Sequence, residues 1–173
     1  SQLLGSQNDM ATIRLMIAKA MGKDDSYCER VRIAGLFHDI GKIGVSDEIL
    51  MKKGPLTEEE FAIIKKHPQD GARILSALTM FRDIVPIVRS HHERMDGKGY
   101  PDGLKSEMIP EEARIIAVAD SFDAMTSNRS YRKALSIKAA VDELVKGKNT
   151  QFDPAAVEAF LSIDSEYLKE SGE

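Results

Sequence analysis

The hydrophobic residues of this chain recur mostly at the three- and four-residue spacing of an α-helix. The first such stretch stops at Gly22, and glycine commonly ends helices. Its apolar face is formed by Met10, Ile13, Ile17, Ala20 and Met21. Strict alternation of apolar and polar residues, which would indicate β-strands, does not extend over a useful length. The pattern therefore predicts an all-α fold.

Capping residues indicate where the next helices begin. Residues 24–26 (Asp-Asp-Ser) offer an N-cap for a second helix that runs towards residue 38. Thr57 and Glu60 have the spacing of a capping box, which predicts another helix start. Pro68 disfavours helical geometry at His67, so a bend or a fresh start is expected there.

The rest of the chain combines further helices with one long loop. Glycine and proline are concentrated in residues 93–110, and a structured loop of this length is more often functional than idle. No internal repeat or linker is found, so we expect one domain over residues 1–173 with a polar tail at 164–173. The remaining helices are predicted over residues 72–78, 84–92, 111–127 and 136–145 and from 154 onward, after the capping residue at 153.

Composition excludes several classes of protein. The 24 Lys and Arg residues and 28 Asp and Glu residues give a formal net charge of −4. This balance disfavours a binder of nucleic-acid polymers, but it leaves room for a small anionic ligand in a local basic pocket. No apolar run approaches the roughly 20 residues that cross a bilayer, so no membrane span is expected. The single cysteine, Cys28, cannot form an internal disulfide, which favours a reducing, cytoplasmic location. The chain begins with Ser1 rather than Met, which indicates a segment of a longer protein.

The candidate chemistry lies in the histidines and their acidic neighbours. His38 stands beside Asp39 and His91 beside His92, each pair at the end of a predicted apolar helix; His67 is the fourth histidine. Imidazole and carboxylate together suit iron, manganese, cobalt, nickel or zinc. No Cys-x-x-Cys motif is present, which excludes a structural zinc site of the thiolate kind.

Asp120 is the third indication of a metal site. Its neighbours in the most apolar helix are largely apolar, where a carboxylate costs several kcal/mol unless it is paired or bound to metal. Taken singly, each histidine is more often a surface or hydrogen-bonded core residue than a ligand, and Asp120 could instead cap a helix or form an ion pair with Arg114 or another base. Taken together, the four histidines, Asp39 and Asp120 favour a metal centre.

Four segments of the sequence together resemble the HD-GYP family, a branch of the HD-domain metal-dependent phosphohydrolases. They are residues 38–44 (HDIGKIG), His67, residues 91–101 (HHERMDGKGYP) and residues 119–124 (ADSFDA). The resemblance spans residues 6–161. It implies a compact all-α bundle with a long GYP loop, and one to three divalent metal ions. Iron or manganese is favoured, with zinc, nickel, cobalt or magnesium as further choices. The implied reaction is the hydrolysis of cyclic di-GMP to pGpG or GMP by metal-activated water.

The same resemblance implies roles for individual residues. Asp39 corresponds to a ligand that bridges two metals, and Lys42 to a lysine near the scissile phosphate. The implied metal ligands are His38, Asp39, His67, His91, His92 and Asp120, and the implied catalytic residues are Asp39 and Lys42. The implied substrate-binding residues are Lys42, Gly99, Tyr100, Asp123, Arg129 and Arg132. Without the motif, the lysine and arginines would be ordinary solvated surface, the glycine a turn residue, and Asp123 a hydrogen-bonding partner of the following turn.

The sequence departs from the family at its N-terminus. The family has a further histidine about 32 residues before the HD pair and a glutamate four residues earlier, whereas this chain has Ser6 and Gln2 there. The metal near His38, Asp39 and Asp120 would then keep three protein ligands. The departure leaves open a degenerate module that binds nucleotide or a diguanylate cyclase domain without turnover. A phosphohydrolase for another nucleotide, such as cyclic GMP-AMP, is a third possibility.

Overall fold

The computed structural model describes residues 7–128 and 132–167, and the fold over these ranges is all-α, as predicted. Two isolated β-bridges, Asp96–Lys105 and Lys148–Phe152, are present in place of strands in the described ranges. The α-helices are α1 (Gln7–Ala20), α2 (Asp25–Phe37), α3 (Asp47–Leu50), α4 (Glu58–Ile64), α5 (His67–Ser76), α6 (Val85–Ser90), α7 (Glu111–Thr126), α8 (Ile137–Lys146) and α9 (Pro154–Tyr167). Short 3-10 segments lie at Ile40–Gly44, Thr79–Phe81 and Ser106–Met108.

The predicted helix starts are confirmed by their caps. The Asp24 carboxylate accepts a hydrogen bond from the amide of Tyr27 at 2.8 Å, which caps α2. Thr57 and Glu60 form the complete capping box of α4. The fresh start at His67 is confirmed too, because α4 ends at Ile64 and α5 begins at His67.

The short elements were not predicted. Helix α3 and the three 3-10 segments are three to five residues long, too short to show a helical period in the sequence. The polar tail predicted from residue 164 lies partly outside the described residues, and α9 runs to Tyr167. None of the described helices is long and apolar enough to cross a bilayer.

The buried side chains form two hydrophobic clusters. The first cluster packs α1, α8 and α9 against parts of α2 and α7, with Phe122 and Phe160 among its largest buried residues. The second cluster packs α5 and α6 against Ala34 of α2 and Ile116 of α7. The second cluster determines how the ends of α2 and α6 and the start of α5 approach α7.

Candidate metal centre

Four elements bring the predicted ligands to one place. His38 is the C-cap of α2 and is followed by Asp39. His91 is the C-cap of α6 and is followed by His92. His67 is the first residue of α5, where Pro68 suits the opening turn. Asp120 lies in the middle of α7. Residues far apart in sequence therefore converge because α2 and α6 end, and α5 begins, at one place, with Asp120 of α7 beside His38.

Backbone carbonyls orient three of the imidazoles. The Nδ1 atoms of His38, His67 and His91 lie 2.5, 2.6 and 2.6 Å from the carbonyl oxygens three residues earlier. A carbonyl oxygen only accepts hydrogen bonds, so Nδ1 carries the proton in each ring. In the neutral ring, the Nε2 atom then presents a lone pair, which is how histidines are commonly prepared to bind a metal.

The lone pairs point at a common centre. The Nε2 atoms of His67 and His91 are 3.2 Å apart, and two neutral imidazoles with Nδ1 protonated cannot hydrogen-bond to each other through Nε2. Each of His67, His91 and His92 offers a ligand atom within 4.8 Å of the others, an arrangement that could hold a metal ion. A cation between these nitrogens would relieve their mutual repulsion.

Two carboxylates face the imidazoles. Asp39 Oδ1 lies 3.4 Å from His67 Nε2 and 4.0 Å from His91 Nε2, while Oδ2 lies 3.2 Å from His38 Nε2. Asp120 Oδ1 lies 3.4 Å from His38 Nε2. Asp39 thus faces imidazoles through both of its oxygens, which is the geometry that a bridging ligand needs.

The donor set fits a metal. Two atoms that each lie about 2.1 Å from a shared ion are roughly 3–3.5 Å apart in tetrahedral or octahedral geometry, and several of the observed separations fall in this range. His38 Nε2 is in addition buried and makes no hydrogen bond among the described residues, although carboxylate oxygens of Asp39 and Asp120 lie 3.2 and 3.4 Å away. Coordination would satisfy this buried nitrogen.

Protonation equilibria reflect the crowding of charge. Burial lowers the pKa of His92 to about 4, with a further contribution from His67, and burial together with His92 holds the pKa of His91 well below its ordinary value. Burial opposes ionisation of Asp120, but His38 outweighs it and lowers the pKa of this carboxyl to about 2. At neutral pH, His91 and His92 are therefore neutral and Asp120 is ionised, the forms that bind metal.

The loop predicted to be functional closes over one side of the centre. The Tyr100 ring stacks on His92, with centroids 5.1 Å apart. Gly99 lies against the backbone of residues 92–94, where a β-carbon would come within 2.5–2.6 Å of three backbone atoms. Burial, with Asp120 and Asp39, raises the pKa of Tyr100 to about 12, so its hydroxyl remains protonated.

Sequence reasoning missed the residue that holds this loop. Glu93 is buried, and its carboxylate oxygens accept hydrogen bonds from the amides of Asp102 at 2.7 Å and Leu104 at 3.0 Å. The position of Glu93 in the sequence could have indicated this role, since Glu93 directly follows the tandem histidines and precedes a glycine-rich segment. Phe61 and Lys65 were missed as well: the Phe61 ring meets the edge of Tyr100, and Lys65 Nζ lies 5.4 Å from the Tyr100 ring centre.

The predicted substrate-binding residues are placed unevenly. Lys42 is partly exposed beside the centre, with Nζ 3.3 Å from Asp39 Oδ1. Asp123 accepts a hydrogen bond from the hydroxyl of Ser127 in the following turn, at 3.1 Å. Arg132 is exposed and donates a hydrogen bond to the carbonyl oxygen of Ala124 at 2.8 Å. Ala124 lies in the last turn of α7, so Arg132 packs at the C-terminal end of that helix. Arg129 lies outside the described residues, as do Gln2 and Ser6.

The alternative pairing of Asp120 with Arg114 is wrong. Arg114 Nη1 instead donates to Asp153 at 2.7 Å, which ties α7 to the start of α9. A cavity of about 230 Å³ adjoins the centre and is lined by Asp120 together with His91, His92, Tyr100 and Phe152. The carboxylate of Asp120 therefore contributes to both the imidazole cluster and the wall of a cavity.

The chain is similar to several known proteins. A family model described as HD domain matches residues 1–156. A cyclic di-GMP phosphodiesterase of Thermotoga maritima is 44% identical over 157 residues, which cover 87% of this chain and 41% of that protein. A 3′3′-cGAMP-specific phosphodiesterase of Vibrio cholerae is 36% identical over 154 residues, which cover 88% of this chain and 30% of that protein. The chain thus spans less than half the length of these relatives.

Solved structures share the fold. A protein described as Bd1817, an HDG"Y"P protein from Bdellovibrio bacteriovorus, superposes with a TM-score of 0.74 at 20% identity. The match covers 90% of this chain and 50% of that one. At this level of identity the likeness concerns the helical architecture alone.

Proposed function

The chain belongs to the HD domain family, and from this premise we propose that it hydrolyses a cyclic dinucleotide, with cyclic di-GMP as the favoured substrate and pGpG or GMP as the product. One observation carries the proposal: oriented imidazoles from three helix termini meet Asp39 and Asp120 in a single cluster. Relatives that share 36–44% of their aligned residues with this chain are named as phosphodiesterases of cyclic dinucleotides.

The metal is assigned first to the imidazole cluster. His67, His91 and His92 would hold it through their nitrogens, and Asp39 would complete the set. The mixture of imidazole and carboxylate suits iron or manganese. When bound, a divalent ion polarises the phosphoryl oxygens and makes the attacking water easier to deprotonate.

The protein's own residues bind and orient the substrate. Lys42 places a compact positive charge beside Asp39, where a phosphate oxygen can approach it. Tyr100 is held by its stacking on His92, and the exposed Phe61 beside it extends the aromatic surface on which a base can stack. Arg129 and Arg132 are proposed to contact the second phosphate or a guanine edge.

Substrate choice is proposed from the relatives. Cyclic di-GMP is favoured because the relative with the higher identity, 44%, is named for it. A relative with 36% identity is named for 3′3′-cGAMP, and this nucleotide differs from cyclic di-GMP in one base. A competition assay with both nucleotides at equal concentration would rank them.

A second candidate is a nucleotide-binding module without turnover, which could also dock a diguanylate cyclase domain. It is favoured by one observation, the serine and glutamine at positions where the family has metal ligands. Cyclic di-GMP would then bind but remain intact in the presence of metal.

Product analysis tests the proposal. The protein is reconstituted anaerobically with Fe(II) or Mn(II) and incubated with cyclic di-GMP, and the nucleotides are separated by anion-exchange chromatography. We expect linear product from the wild type and at least a hundredfold loss in Asp39→Asn, because the charge between the imidazoles is removed. Asp70→Asn, which removes a surface carboxylate of α5 that pairs with Arg73, is the matched control. Intact substrate under every metal condition would contradict the proposal.

A further inference from the structure

A buried arginine, Arg14, lies on the side of the metal centre formed by His38 and has no part in the function proposed above. Arg14 belongs to α1, on the helix that otherwise contributes Met10, Ile13 and Ile17 to the first hydrophobic cluster. Only 7% of its surface is exposed, and its Nε has no hydrogen-bond partner among the described residues. Arginines are rarely buried unless a negative charge compensates them.

The compensating charges belong to the metal centre. Asp120, Asp39 and Asp123, in decreasing order, attract the Arg14 guanidinium, although burial outweighs them and the pKa of Arg14 is lower than in water. In the part of the chain that the structure describes, no carboxylate oxygen lies within 4.0 Å of a guanidinium nitrogen of Arg14, so Arg14 forms no ion pair there. Arg14 thus acts on these acids through space, as a positive charge without a direct ion pair.

The neighbouring helix is built to admit this side chain. A β-carbon on Gly35 of α2 would lie 2.8 Å from both Cδ and Nη1 of Arg14. The carbonyl oxygen of the same glycine accepts the hydrogen bond from His38 Nδ1. The guanidinium is therefore packed against the residue that orients His38, on the side of the centre formed by His38, Asp39 and Asp120.

The two sides of the centre differ in composition. Among the described residues, the set whose ligand atoms all lie within 4.8 Å of one another is His67, His91 and His92. The other side holds one imidazole with a buried, unpartnered Nε2 and both carboxylates. Among the described residues, His38 is the one histidine that lies within ion-pair distance of Asp120, so this side offers a single imidazole to an ion.

We propose that Arg14 supplies, from within the fold, the positive charge that a metal ion would bring to the side of the centre formed by His38, Asp39 and Asp120. The chain then binds one metal ion, at His67, His91 and His92, and uses the guanidinium in place of another. This inference rests on the metal centre of the proposed function and specifies its composition.

Metal stoichiometry tests the inference without reference to activity. Chelator-treated protein is titrated with Mn(II) and the free ion is measured by electron paramagnetic resonance. We expect one Mn(II) per chain in the wild type and a second, weaker one in Arg14→Met, because the uncompensated carboxylates attract a cation. Arg14→Lys keeps the charge and should retain a single ion.

The matched control is Arg30→Met. Arg30 lies on α2 and pairs with Glu112 at 3.2 Å, and neither residue belongs to the centre. The Arg30→Met variant should bind one Mn(II) ion per chain, like the wild type. If Arg14→Met does not fold, Gly35→Ala takes its place, since the added β-carbon displaces the guanidinium while the charge stays in the protein; it too should then bind a second ion.

The outcomes separate the two proposals. Two ions in the wild type, or equal stoichiometry in the wild type and Arg14→Met, would overturn the inference and leave the proposed function intact. If only Gly35→Ala can be measured, a single ion in that variant overturns the inference. Absence of Mn(II) binding in every protein would overturn the metal centre itself and the inference with it.

Discussion

At the scale of single residues, the site depends on a close approach that only glycine permits. Gly41 follows the HD pair in the 3-10 segment Ile40–Gly44, and its backbone packs against the first turn of α5. A β-carbon there would overlap the carbonyl oxygen of His67 and lie 2.6 Å from the amide nitrogen of Gly71. Both obstacles are backbone atoms, so relief requires that the two segments move apart.

Gly41→Ala should therefore separate Asp39 from His67. We expect a loss of about 1–3 kcal/mol in the free energy of unfolding and at least tenfold weaker Mn(II) binding, measured by urea denaturation and by metal titration. Gly44→Ala is the control in the same segment, because a β-carbon there meets nothing within 4 Å. Equal behaviour of the two variants would show that the close approach is unimportant.

Several residues of the site could be predicted from the sequence, and the reason is chemical. The tandem motifs combine ligand types with helix ends, and His38, His67, His91 and Asp120 do converge. Arg14 could not be predicted, because a single arginine in a helix resembles a solvated surface residue until Gly35 is seen opposite it. Pairing of residues on separate helices has no local signal.

At the scale of elements, predictability followed the strength of local signals. The capping box of α4 and the serine cap of α8 are satisfied within three residues, so the sequence alone locates them. Contacts between helices carry no such signal. Glu111 at the start of α7 is one example: its Oε1 accepts a hydrogen bond from Tyr27 at 2.8 Å and lies 2.7 Å from Lys23 Nζ.

Glu111 should make the stability depend on pH. Burial alone would raise the pKa of this carboxyl, but Lys23 and Tyr27 lower it below its ordinary value of 4.5. The stabilisation is then complete above the pKa of the unfolded chain and is lost as the pH falls through the folded value. Glu111→Gln should cost about 1 kcal/mol at pH 7, and the difference from the wild type should shrink as the pH falls below 4.5.

Urea denaturation at half-unit steps of pH measures this difference. Glu107→Gln is the control, because Glu107 is an exposed glutamate of the 3-10 segment just before α7 and its loss removes one negative charge without breaking this contact. A constant gap between Glu111→Gln and the wild type from pH 7 to pH 3 would contradict the assigned role of the carboxylate.

At the scale of the whole molecule, the first hydrophobic cluster holds the largest buried aromatic residues and the second lies beside the imidazole cluster. The first cluster holds α1, α8 and α9, and its Phe122 and Phe160 rings have centroids 4.9 Å apart. The second cluster supports the ends of α5 and α6, where the proposed metal ligands lie. The all-α class was predictable from periodicity, whereas this division was not, because it depends on which apolar faces meet.

Metal binding should therefore stabilise the fold independently of the first cluster. Mn(II) at about a hundred times its dissociation constant adds roughly 2.7 kcal/mol to the free energy of unfolding of any form that binds it only when folded. Phe160→Leu should lower the free energy of unfolding by about 1–3 kcal/mol, because the smaller side chain leaves a cavity. Mn(II) should nevertheless raise its Tm by as much as it raises that of the wild type. His91→Ala should lose most of that shift, because His91 belongs to the imidazole cluster. Differential scanning calorimetry with Mn(II) and with chelator measures all three proteins. A reduced shift in Phe160→Leu would mean that the two clusters are coupled, since a defect about α9 would then reach the ligands at the ends of α5 and α6.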